Sequence, residues 1–201
     1  MKLLLASNSP RRRELLRNAG FDFEVIPSGI DEGAPSPKER PAEYARRVAS
    51  NKALRVAASA PNGSVVLGAD TIVVIDSLVL GKPSDPADAA RMLRLLSGQT
   101  HEVITAICLA RAPDQVVAMD HASTSVTFRD LTEEEIRAYV ASNEPFDKAG
   151  AYAIQGLASK FVVRISGCYF NVVGLPVALL DGILKEIEAG SEESGAEGLH
   201  R

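Results

Sequence analysis

The chain has little cysteine, few aromatic side chains and no dominant charge. Its 201 residues include two cysteines, Cys108 and Cys168, each in an apolar or loop context. That excludes a disulfide framework and fits a reducing compartment. No cysteine–histidine cluster has the spacing of a zinc site. Aromatics are 5% of the residues, and none is interleaved with the basic cluster at Arg11, Arg12 and Arg13, so the stacking platforms of a single-stranded nucleic-acid binder are lacking. The formal net charge of −4 offers no global attraction to nucleic acid or to an anionic membrane. No apolar run approaches membrane-spanning length. The stretch before the polar Ser7 is too short for a signal peptide. Neither a P-loop nor a dinucleotide-binding glycine motif occurs. What remains is the expectation of a soluble cytoplasmic protein, with an apolar fraction of 46% that suffices for a sizeable core.

Periodicity and turn chemistry predict the elements. Residues 3–6 read as a strand. Ser9 suits a helix N-cap, Pro10 the first helical position and Gly20 the C′ position of that helix. Residues 21–26 read as a strand, 28–40 as a loop rich in Gly, Pro and acids, and 41–58 as a helix. Residues 65–75 form a β-rich run interrupted at Gly68-Ala69-Asp70. Asp85-Pro86 opens a helix that Gly98 closes. Residues 103–110, 116–119 and 123–128 read as strands of a meander. Thr132 to Glu135 is a capping box for a helix through Ala141. A strand at 161–165 and a helix at 176–189 complete the pattern. The tail from Gly190 is acidic and rich in Gly and Ser, with disorder as the expectation. The reading is an α/β protein with a mixed sheet, one domain over residues 1–189 followed by the tail at 190–201.

The chemistry concentrates in a few places. Arg11, Arg12 and Arg13 occupy the first turn of a helix, where the dipole disfavours cations. An anion among them resolves the conflict, with backbone N–H groups, the hydroxyls of Ser7 and Ser9 and the guanidinium forks as its cradle. A solvated basic turn is the bland alternative. Asp70 interrupts buried-strand sequence, where an ionised carboxylate is costly unless it is paired or binds a metal. It reads either as a metal ligand or water-activating base, or as a turn aspartate between two short strands. Lys52 falls on or beside the apolar stripe of its helix, so it either snorkels or points inward to phosphate. Lys82, between Gly81 and Pro83, is projected by a fixed turn. Asp31-Glu32 is a carboxylate pair that suits Mg²⁺ with phosphate co-ligands, or a solvated acidic loop. Gln155 presents a donor and an acceptor suited to a nucleobase edge. His101 and His121 have no acid–nucleophile companion and read as structural.

Together these residues resemble the Maf family of nucleoside triphosphate pyrophosphatases. The matching pieces run in order: Ser7-Asn8-Ser9-Pro10-Arg11-Arg12, Asp31-Glu32, Asn51-Lys52-Ala53, Gly68-Ala69-Asp70-Thr71, Gly81-Lys82-Pro83, Leu96 to His101, Asp147-Lys148-Ala149-Gly150 and Asn171 to Pro176. They cover about residues 4–184. The resemblance implies two α/β lobes with a central cleft, related to the ITPase-like architecture. It implies hydrolysis of a nucleoside triphosphate to the monophosphate and pyrophosphate with a divalent metal, Mg²⁺ or Mn²⁺. Asp70 falls on the family's proton-acceptor aspartate, and Glu32, Lys52 and Lys82 on its acid and basic active-site positions. The expectation for the metal is that Glu32, Asp70 or both hold it. Arg11, Thr71 and Gln155 fall on positions tied to substrate choice. The methylguanine branch of the family has Ser-Asp-Gln where this chain has Ala69-Asp70-Thr71, so the resemblance is to the dTTP/UTP branch. By analogy it allows a homodimer. Family members have also been linked to septum formation and cell-division arrest, which offers a regulatory nucleotide-binding protein as the alternative.

Overall fold

The structure is a computed structural model that describes residues 2–197. β1 (Leu3–Leu5) leads into α1 (Pro10–Asn18), capped by the Ser9 side chain, which accepts from the Arg12 N–H at 3.4 Å. β2 (Phe23–Val25), α2 (Pro41–Ala57), β3 (Val65–Ile75) and β4 (Leu78–Leu80) follow. Then come α3 (Pro86–Leu96), the long strands β5 (Thr100–Arg111) and β6 (Gln115–Phe128), and α4 (Glu133–Ala141). Three short 3₁₀ turns, Glu144–Asp147, Ala149–Ala151 and Leu157–Phe161, connect to β7 (Val162–Ser166), α5 (Tyr169–Val173) and α6 (Val177–Glu197).

The strands form one sheet in the order β2-β1-β3-β5-β6-β7, with β4 also paired to β3. β1 runs parallel to β2 and β3, and the remaining pairs are antiparallel. This is the mixed α/β architecture expected. Side chains alternate across β3 as the pleat requires. Val66, Ile72 and Val74 pack with α2 on one face. Val65, Leu67, Ala69, Val73 and Ile75 pack on the other face, in the core that takes in side chains of α1, α3, α4 and α6. Among the described residues no helix is long and apolar enough to cross a membrane.

Two expectations are corrected. Gly68-Ala69-Asp70 does not interrupt a strand: β3 is continuous, and these residues pair in register with Cys108, Ile107 and Ala106 of β5. The glycine there serves a helix rather than a turn. Ala45, Ala49, Ala53 and Ala57 recur every fourth residue along α2, all fully buried, and let that helix lie close to the sheet. A Cβ on Gly68 would stand 2.1 Å from the Ala49 carbonyl oxygen and 2.7 Å from Ala53 N. The second correction concerns residues 116–119 and 123–128, which are parts of one strand, β6. The polar Asp120 and His121 between them keep their pairing with Ile107 and Ala106, because both faces of the sheet are only partly covered there. α6 spans Val177–Glu197, and the expected tail begins at Gly190. Residues 198–201 of that tail lie outside the described residues.

The long β3 has different neighbours along one edge. β1 accompanies it over Val65 to Leu67, and β4 over Val73 to Ile75. Between them, no strand among the described residues pairs with residues 68–72 on that side, and the cleft described below opens at this gap. Replacing Gly68 by Ala therefore forces α2 away from the sheet. Overpacking of this kind costs ~1–3 kcal/mol, so a urea titration of Gly68→Ala should show a midpoint well below that of the parent.

Candidate active site

A cleft of about 430 Å³ opens over the gap in the β3 edge. Most of the residues singled out for chemistry line it: Ser7, Ser9, Arg11 and Arg12 from the β1–α1 turn and the start of α1, Glu32 from the loop after β2, Lys52 from α2, Asp70 and Thr71 from β3, and Lys82 and Gln155; Arg13 and Asp31 do not.

The pleat sends Asp70 and Thr71 to opposite faces of β3. Asp70 points to the α2 face, where Lys52 meets it with Nζ 2.8 Å from Oδ1. The same ammonium lies 2.7 Å from Glu32 Oε1 and 3.4 Å from the Ala69 carbonyl. Lys52 is 7% exposed. It therefore does not snorkel: its charge is buried between two carboxylates. Asp31, the other half of the expected acidic pair, turns away and accepts from the Gly33 N–H at 3.0 Å. The loop that brings Glu32 here is held by α2, because Tyr44 Oη donates to the Gly33 carbonyl at 2.9 Å and Arg47 pairs with Glu39 at 2.7 Å.

The two carboxylates respond differently to the shared ammonium. Burial pushes Asp70 up, above the ordinary aspartate range, against the opposing pull of Lys52 and Arg12. For Glu32, burial also works upward. It is outweighed by the charge and hydrogen bond of Lys52, aided by Lys82 and Arg12, so that carboxyl sits below its ordinary range. The difference follows from exposure, since the Asp70 side chain is 6% accessible and that of Glu32 38%.

On the other face, Arg12 is buried and its guanidinium is spread over neutral acceptors. Nε donates to the Gly174 carbonyl at 2.9 Å, Nη1 to Ser7 Oγ at 3.2 Å and Nη2 to Thr71 Oγ1 at 3.0 Å. Burial lowers its pKa, and the nearby charges of Asp70 and Glu32 work the other way. The three arginines are thus not equivalent. Arg11 pairs with Asp147 at 3.1 Å, and Arg13 donates to the Asn8 carbonyl at 3.2 Å. Only Arg12 is a buried cation with no carboxylate in hydrogen-bond contact. Lys82 and Gln155 are exposed at the mouth. The Lys82 turn is tied down by its neighbour, because the Gly81 carbonyl accepts from the Gly150 N–H at 3.0 Å. His101 is buried, with Nε2 2.8 Å from Tyr152 Oη, and burial pushes its pKa down to about 4. It packs edge-on against Phe128 and Tyr152, which is the structural role expected. His121 lies 3.7 Å from Asp120 on the sheet surface, away from the cleft.

The sequence of the chain matches the Maf-like protein family over residues 2–187. It is a member of the Maf family. A dTTP/UTP pyrophosphatase of Koribacter versatilis is 53% identical over 89% of this chain and 90% of its own length. Another, from Bacillus cytotoxicus, is 49% identical over 96% of this chain and 99% of its own length. Among solved structures, the Ham1 protein of Staphylococcus aureus aligns with a TM-score of 0.46 and 13% identity, covering 92% of this chain and 99% of that one.

Some supports behind this Maf-family cleft carry no residue-by-residue signal. Thr71 Oγ1 lies 2.9 Å from Thr105 Oγ1, and Thr105 in turn donates to the Asn171 carbonyl at 2.9 Å. Asn171 is wholly buried and also donates to the Val103 carbonyl at 2.8 Å and to Thr124 Oγ1 at 2.9 Å. This network fixes the strands beneath Arg12. Its signal in the sequence was the motif Asn171 to Pro176, which was quoted without a role. Thr105, inside an apolar strand, gave no signal at all.

Replacing Lys52 by Met leaves two carboxylates facing a gap. Removing one partner of a buried ion pair costs ~3–5 kcal/mol, here toward the lower end because Glu32 is partly screened by solvent. Loss of the ammonium moves both carboxyl pKa values upward from those of the parent. The stability deficit is therefore greatest above those values and shrinks as the pH falls through them. Urea midpoints of parent and variant at about pH 8 and about pH 5 should differ more at the higher pH.

Proposed function

We propose that this chain hydrolyses dTTP and UTP to the nucleoside monophosphate and pyrophosphate. The names of relatives about half identical to it over nine-tenths of its length support the substrates. The observation that carries the chemistry is Asp70, a carboxylate 4% exposed in mid-strand, at the one place where the strand edge opens to a cleft lined with cations.

The reaction needs a base, charge neutralisation and alignment. Asp70, whose pKa burial lifts, takes a proton from water when ionised. The water oxygen bonds to the α-phosphorus, and the bond from that phosphorus to the bridging oxygen breaks, releasing pyrophosphate. Arg12 carries five N–H donors. Three go to internal acceptors, which hold the fork rigid, and the remainder face phosphate oxygens. The N-terminus of α1 and Lys82 at the mouth complete the positive lining, and Lys52 turns from the carboxylates toward phosphate. Neutral acceptors around Arg12 leave its charge for the substrate, which a carboxylate partner would have consumed.

Glu32 and Asp70 suit a divalent cation such as Mg²⁺ or Mn²⁺. They converge on one point, where the Lys52 ammonium now sits. Among the described residues no group of three or more acidic, histidine or cysteine side chains is poised for a metal. A hard cation that keeps water and phosphate oxygens in its shell needs only one or two carboxylates. When bound, such an ion supplies neutralisation of phosphate charge.

The test is pyrophosphate release from dTTP, UTP and purine triphosphates, with Mg²⁺ and with EDTA. The expected result is metal-dependent release from the two pyrimidine nucleotides. Folded Asp70→Asn protein should lose ~10²–10⁴-fold in rate. In the parent, kcat/KM should rise with pH on an acid limb placed above the ordinary aspartate range, because Asp70 must be ionised to accept the proton. A folded Asp70→Asn protein that keeps most of the rate would remove Asp70 from the role of base.

A further inference from the structure

The segment that carries Gln155 is irregular and lies at the surface, yet one pair of side chains holds it at both ends. Ala153 and Gly156 close a turn, the Gly156 N–H donating to the Ala153 carbonyl at 3.1 Å, with Ile154 and Gln155 at the tip. On the entering side, the Ala153 N–H donates to Tyr139 Oη at 3.3 Å. On the leaving side, the Leu157 N–H donates to Glu144 Oε2 at 3.0 Å. Tyr139 Oη itself donates to Glu144 Oε1 at 2.9 Å. The phenol–carboxylate bond thus bridges the two stems of the turn.

The surrounding packing makes this bridge stiff. Tyr139 belongs to α4, is 3% exposed and packs edge-on against Phe161 with ring centres 5.3 Å apart. Burial and the Glu144 charge raise its pKa, so the phenol stays protonated and donating. Glu144 opens a 3₁₀ turn, and its backbone carbonyl accepts from Lys148 Nζ at 2.6 Å. Gly156 belongs to the same arrangement. A Cβ there would stand 2.2 Å from Glu144 Oε1, so only a residue without a side chain lets the carboxylate pass beneath the turn. Neither Tyr139 nor Glu144 lines the cleft.

We propose that Tyr139 and Glu144 are positioning residues for base selection, fixing the turn that presents Gln155 to the pyrimidine edge. The proposal rests on the reading of Gln155 as the group that meets the base. A side-chain amide discriminates between bases only if its donor and acceptor are held in a set direction. Freeing the turn makes binding re-order it each time. The phosphate end of the cleft keeps its own supports, Arg12 with Ser7, Thr71 and Gly174, and does not feel the change.

The test is steady-state kinetics of the parent and of Tyr139→Phe, Glu144→Ala, Glu144→Gln and Gln155→Ala. Each is assayed on UTP and on ribose 5-triphosphate, which carries the phosphates without a base. Tyr139→Phe and Glu144→Ala should raise KM for UTP about tenfold, the order expected for ordering a few side chains on binding. They should leave kcat for UTP, and kcat/KM for ribose 5-triphosphate, within about twofold of the parent. Glu144→Gln, which keeps one acceptor, should fall between. Equal losses on both substrates would mean a structural role only and would overturn the proposal, as would parental KM values for UTP in folded variants. If Glu144→Ala fails to fold, Tyr139→Phe, which removes a single oxygen, decides alone. Should Gln155→Ala leave KM for UTP unchanged, the reading of Gln155 falls and the proposal with it. If Gln155→Ala raises KM while Tyr139→Phe does not, only the positioning role is lost.

Discussion

The ammonium of Lys52 between Glu32 and Asp70 is the interaction on which the rest of the site depends. Two carboxylates and a lysine, taken singly, would each resist transfer out of water. Brought within 2.7 and 2.8 Å of one nitrogen, they satisfy one another. Much of the local architecture serves that meeting. The alanine ladder of α2 and the bare Cα of Gly68 set the helix close enough to β3 for a lysine to reach a mid-strand aspartate. Tyr44 and Arg47 on the same helix tether the loop that delivers Glu32. One helix thus carries both the cation and the anchors of one of its counter-ions.

The opposite face of the same strand is built on another principle. Arg12 is buried without a carboxylate, and its guanidinium is oriented by a hydroxyl on either side and a carbonyl. Behind the Thr71 hydroxyl, Thr105, Asn171 and Thr124 cross-link β5, β6 and α5, so that its orientation is inherited from the core of the sheet. The Lys52–carboxylate cluster and the buried Arg12 guanidinium are therefore separated by the pleat, and they meet at the open edge where β1 has ended and β4 has not begun.

Much of this was legible in the chain. The helix caps at Ser9, Asp85 and Thr132 state their positions through side-chain chemistry that acts over three residues, and all three appear as read. The mid-strand oddity of Asp70 and the basic first turn of α1 marked the site, because each breaks a local rule. The local signals misled where tertiary contact outweighs them. Gly68 looked like a strand break and is a helix contact. Three adjacent arginines looked alike, and the fold gives them an ion pair, a buried network and a surface bond. Thr105, Tyr139 and Glu144 obey every local preference of their elements. Nothing in the spacing set them apart, and only the packing of distant segments gives them partners.

The alternation of β3 also bears on how this chain can vary. Asp70 and Thr71 are neighbours in sequence but serve opposite sides of the sheet, so their assignment depends on parity, counted from the first paired residue of the strand. An insertion or deletion of one residue between Val65 and Asp70 would exchange the two sides and present a hydroxyl to Lys52 and a carboxylate to Arg12. Every residue type could be kept and the site would still be inverted. Changes of length are confined by this to the loops, where the chain can absorb them without altering which face a residue meets.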